Sequence, residues 1–114
     1  MNRLALTAVL LTVAACLEVG GDAIVRLGLK SAGIPRIGLF VAGAAVLFGY
    51  GLFVNTAPAD FGRLLGIYVV LFFVVAQIVN LAVFNVRPTA PILVGGALVL
   101  AGGLVMLTWR TTSP

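Results

Sequence analysis

Glu18 lies in the second half of a long apolar run that extends from Leu4 to Val25. An ionised carboxylate near the middle of a bilayer costs at least about 2.5–3.5 kcal/mol on insertion scales, so such residues are rare there and usually mark function. A carboxyl group withdrawn from water also holds its proton more tightly, and a group that trades a proton for a cation needs that property. The structural alternative is that Glu18 pairs with Arg26 or another helix and only holds the fold together. The functional reading is preferred.

Asp22 follows one helical turn after Glu18, and Arg26 one turn after that. Residues four apart share a helix face, so the three form a charged stripe, which Thr7 and Ala14 continue towards the N-terminus. One reading is a watered path that delivers protons or cations to Glu18. The other is local pairing of Asp22 and Arg26 at the headgroups, with Arg26 snorkelling. Both stay open for Asp22, and the second is preferred for Arg26.

A third apolar run carries Tyr68, Gln77 and Asn80. Gln77 and Asn80 share a face, and serve either as interhelical hydrogen bonds or as part of a chamber wall. Tyr68 lies about half a turn away; its ring and hydroxyl suit it both to a cation and to orienting a carboxylate. The last run reads GGALVLAGG, with Gly96 and Gly103 seven apart and Ala97 and Ala101 four apart. Small residues at those spacings let helices approach closely, so Gly96 and Gly103 are expected in a packing or dimer seam. A second small-residue face, Gly38, Ala42, Ala45 and Gly49, either packs on the first helix or walls a cavity.

The elements that must position these residues are four apolar stretches, each about the length that spans a bilayer. They are expected at 4–25, 37–54, 64–84 and 91–109, within a single domain of residues 1–114. RLGLKSAGIPR, NTAPADFGR and NVRPTA separate them as loops. Arg3, Arg26, Arg36, Arg63 and Arg110 flank the spans. A cleaved lipoprotein signal ending before Cys16 is the lesser reading, because the apolar pattern continues past it.

Composition agrees. The chain has 114 residues, 62% apolar and 9% charged, with a mean hydropathy of +1.25. A soluble domain carries about 25% charged residues, so lipid must cover this one. One cysteine, no histidine and three acidic residues argue against a disulfide, a metal site or a hydrolytic triad. No enzyme, cofactor or nucleic-acid partner is expected. The +4 charge comes from single basic residues at span ends. Arg3, Arg63 and Arg110 fall on one side of the membrane, and Arg26, Lys30, Arg36 and Arg87 on the other. So even a count fits insertion in both orientations and antiparallel dimers. It also fits a cytoplasmic first loop fixed by the Arg26, Lys30 and Arg36 cluster.

Taken together, four spans with one glutamate in the first resemble the small multidrug resistance transporters of the drug/metabolite transporter superfamily. The local spelling is closest to the YnfA-type branch: Glu18 and Gly21, then Leu27, Leu29 and Lys30; Gly62 and Arg63 with Tyr68; Val86, Arg87 and Thr89 followed by Gly95. The resemblance implies an all-α, integral membrane four-helix bundle working as an antiparallel homodimer in the bacterial inner membrane. It implies a shared site in which the glutamates bind either protons or a small cationic substrate, with helix 4 as the dimer seam. Glu18, Asp22 and Tyr68 are then the proton and substrate residues, and Gln77, Asn80 and Arg63 candidates for the chamber wall. Two features depart from the pattern. No tryptophan lies in the first three spans, and Asp22 and Arg26 replace aromatics after the glutamate. Both argue against drug-like lipophilic cations.

The expected function is therefore proton-coupled export of small cationic compounds. A carrier of a lipid-linked sugar or polyamine, and a non-transporting membrane subunit, are the competing classes.

Overall fold

The computed structural model describes residues 3–57 and 60–109. They form four α-helices: α1 (Arg3–Leu29), α2 (Gly33–Val54), α3 (Phe61–Phe84) and α4 (Ala90–Thr108). Each is long and apolar enough to cross a membrane. The all-α class is as expected. Arg110 and the tail to Pro114 lie outside the described residues, as does the side chain of Arg3. The helices form two compact units, Met1–Pro58 and Ala59–Pro114; α1 packs on α2 in the first, and α3 on α4 in the second.

The largest departure from expectation is the first loop. Its eleven-residue estimate shrinks to Lys30, Ser31 and Ala32, because α1 continues to Leu29 and α2 begins at Gly33. Polar spelling suggested a loop here, yet each polar residue has a place at a helix end. Gly33 takes φ +67°, a left-handed conformation open to glycine at little cost. Pro35 falls in the first turn of α2, where its missing N–H has no intrahelical partner to lose. The Arg36 side chain reaches back to the end of α1, its Nε donating to the Gly28 carbonyl at 3.2 Å and its Nη2 to that of Leu29 at 2.9 Å. Ser31 Oγ donates to the Leu27 carbonyl at 2.9 Å. A cation at a helix C-terminus also meets the negative end of the dipole. Arg36→Gln should therefore cost about 1 kcal/mol. Faster amide exchange at Lys30 and Ser31, whose N–H groups bond the Leu27 and Gly28 carbonyls, would report it.

Glycines set the helix contacts within the first unit. A Cβ at Gly28 would lie 2.7 Å from the Phe40 ring, one at Gly43 2.6 Å from Val25 Cγ2, and one at Gly21 2.8 Å from Leu47. Gly38 and Gly49 face open space. The small-residue face anticipated on helix 2 is thus not its contact with α1; Gly43 is.

In the second unit, Asp60 caps α3, accepting the Arg63 N–H at 3.0 Å. This Asp starts the helix three residues before the expected Leu64. Asn85 ends it in the left-handed region (φ 56°). Thr89 and Pro91 open α4 within one residue of expectation. Gly66 receives Met106, Val70 fits against Gly103, and Phe73 against Gly96. On α3 these positions follow the i, i+4, i+7 spacing of a single face.

Candidate functional site

Glu18 occupies α1 close to its middle. At 1.5 Å per residue it lies about 3 Å beyond the helix midpoint, Asp22 about 9 Å and Arg26 about 15 Å. With a hydrocarbon core about 30 Å thick, Glu18 falls near the bilayer centre and Arg26 at its edge. The charged stripe therefore runs from mid-membrane to one surface. Glu18 is half-buried, whereas Asp22 and Arg26 are exposed.

The face that α1 turns to α2 is defined by Gly21, Val25 and Gly28. Carried back by the same spacing, it passes through Glu18, then Ala14, then Leu11. Ala14 and Leu11 are almost fully buried, at 0% and 2% exposure. Glu18 thus lies on the face of α1 turned to α2, between the buried Ala14 and Gly21.

The same register locates its neighbour on α2. Gly28 lies beside Phe40, Val25 beside Gly43 and Gly21 beside Leu47. Each step back along α1 matches an equal step forward along α2. The next step brings Glu18 opposite Tyr50. One step beyond it the same register sets Ala14 opposite Val54, the last residue of α2, and both are buried. Tyr50, half-buried in this row, was not among the expected site residues. Its signal is the antiparallel register, which a short, defined loop would have revealed.

The remaining expected residues belong to the second unit. Tyr68 is buried, at 4% exposure, and one turn from the equally buried Leu64. Its ring lies 6.2 Å from that of Phe72, tilted by 48°. It stands off the face that α3 turns to α4. Gln77 continues that face one turn past Phe73, where the two helices leave a groove of about 320 Å³. Gln77 is the one polar side chain among residues lining this groove. Asn80 is half-buried and is not among them. Its carbonyl accepts the Asn85 and Val86 N–H groups that close α3.

Two further expected features lie at the α3–α4 contact. Arg63 is exposed in the first turn of α3 and donates to the Met106 carbonyl at 3.4 Å. It clasps the α3–α4 hairpin at its end, where a helix C-terminus attracts a cation. Gly96 and Gly103 are buried against Phe73 and Val70 of the same chain, so they pack α4 on α3. The glycines of α4 that meet open space are their neighbours, Gly95 and Gly102.

Four membrane-length helices and a carboxylate at mid-depth define a small multi-pass membrane protein. A family model described as "Uncharacterised BCR, YnfA/UPF0060 family" matches residues 4–111. The chain belongs to this family, a four-helix membrane family of the small multidrug resistance type. No match was found among curated proteins or among solved structures.

Proposed function

We propose that this protein is a proton-coupled exporter of small cationic compounds in the bacterial inner membrane. The observation that carries the reading is Glu18, a half-buried carboxylate held in the α1–α2 seam near mid-membrane. At that depth a carboxylate can be neutralised by a proton or by an organic cation. Because the two compete for one group, binding of one releases the other. Two copies form the working unit, and alternating access moves the shared midplane site from one side to the other. Asp22, exposed one turn nearer the surface, receives the exchanging ions on their way. Tyr68 contributes a ring to the chamber wall.

The test is a titration of detergent-solubilised, weakly buffered protein with a panel of small cations. Each binding cation should release protons, up to about one per chain, and no release should follow addition of neutral analogues. Proton release absent for every cation that binds would remove the exchange mechanism.

A further inference from the structure

Tyr50 is the titratable side chain that the register of the first unit sets beside Glu18. Three glycine-mediated contacts fix that register: Gly28 with Phe40, Val25 with Gly43, and Gly21 with Leu47. One step further the same spacing pairs Ala14 with Val54 at the end of α2, and both are buried. The register therefore sets Glu18 and Tyr50 at facing positions of the α1–α2 contact, and both are half-buried. Among the described residues of this unit, the charged and titratable groups near Glu18 are these. On α1 they are Asp22 and Arg26, one and two turns on. On α2, the helix packed against α1, Tyr50 is the one ionisable residue apart from Arg36, which caps α1 at the far end. A phenol hydroxyl can donate to a carboxylate and accept from a carboxylic acid.

We propose that Tyr50 is the positioning residue of the exchange site: its hydroxyl donates to the Glu18 carboxylate and fixes its rotamer. The inference rests on the reading of Glu18 as the proton/cation exchange group. When a proton arrives, the hydroxyl turns to accept from the acid, so the contact survives both halves of the cycle. Hydrogen bonding to the charged form favours that form. Its loss leaves the proton harder to displace.

The experiment compares wild type with Tyr50→Phe, which keeps the ring in the seam and removes only the hydroxyl. The readout is the pH profile of cation binding and proton release, using tetramethylammonium and a linear monoamine as probes. The profile should move towards alkaline pH by about one unit, and binding on its acidic limb should weaken about tenfold. Repeating the comparison in Asp22→Asn assigns the shift to one carboxyl group, since coupled acids share their apparent values. On a Glu18→Gln background, Tyr50→Phe should shift nothing further. A second measurement needs no variant at Tyr50. The infrared carboxyl band that disappears in Glu18→Gln should lie, in the acidified native protein, at a hydrogen-bonded frequency. Superimposable pH profiles for wild type and Tyr50→Phe, or a carboxyl band at the free-acid frequency, would overturn the role of Tyr50 and leave the exchange reading intact. A wild-type protein that binds cations without releasing protons would overturn both.

Discussion

Glu18→Gln should abolish proton-driven cation transport while leaving the protein folded. Glutamine keeps the length and the hydrogen-bonding capacity of the side chain but can neither hold a charge nor release a proton. In proteoliposomes with an imposed pH gradient, uptake of a cationic substrate should fall by at least about 100-fold, to the level of protein-free vesicles. That corresponds to about 2.7 kcal/mol of lost coupling. Stability should move the other way or not at all, because the variant removes a charge from mid-membrane. A far-ultraviolet dichroism spectrum and elution volume equal to wild type would separate loss of chemistry from loss of fold. Retained gradient-driven transport would end the proposal that Glu18 couples the two ions. Asp22→Asn is the informative companion. Asp22 is exposed and nearer the surface, so its loss should slow exchange without uncoupling it.

The features legible in the sequence are those that depend on one helix at a time. The four spans follow from hydropathy alone, and α2, α3 and α4 end within a residue of where the apolar runs stop. Glu18 stands out for the same reason, since a charge inside an apolar run is visible without any partner. What depends on two helices was less legible. The pairs Gly95–Gly96 and Gly102–Gly103 place one glycine of each pair on each of two adjacent faces, because successive residues turn about 100° around a helix. Spacing cannot say which glycine of a pair meets α3, and the structure assigns Gly96 and Gly103. Tyr50 was hidden by the first loop. With a loop of eleven residues, the register of α1 on α2 is undetermined. With three residues and a cap from Arg36, the register is set, and Tyr50 falls opposite Glu18. Arg63 shows the same limit: its motif marks the start of α3, but its contact is the Met106 carbonyl, forty-three residues along the chain.

That register makes Gly43 the residue whose enlargement should damage the first unit most. A Cβ there would come 2.6 Å from Val25 Cγ2, 3.2 Å from the Gly21 carbonyl oxygen and 3.3 Å from the Val25 nitrogen. A side-chain methyl can rotate away, but two backbone atoms cannot. Gly43→Val therefore has to push α1 and α2 apart. Overpacking of this kind costs about 1–3 kcal/mol, and lipid chains offer no compensating drive to hold the helices together, because they are as apolar as the side chains exposed. Gly38→Val supplies the control. It lies on the same helix in a position with nothing within 4 Å, so its stability should stay within about 0.5 kcal/mol of wild type. Steric-trapping or detergent unfolding measurements would read both. The functional consequence follows from geometry. Gly43 lies between the Phe40–Gly28 contact and the Leu47–Gly21 contact, and Tyr50 is two turns further on. Separating the helices at Gly43 would loosen the register that sets Tyr50 opposite Glu18. Gly43→Val should then show an alkaline shift in its pH profile in the same direction as Tyr50→Phe, together with lower stability, whereas Tyr50→Phe shows the shift alone. A Gly43→Val protein as stable as wild type would mean that the α1–α2 contact is not the one described. The placement of Tyr50 would then lose its support.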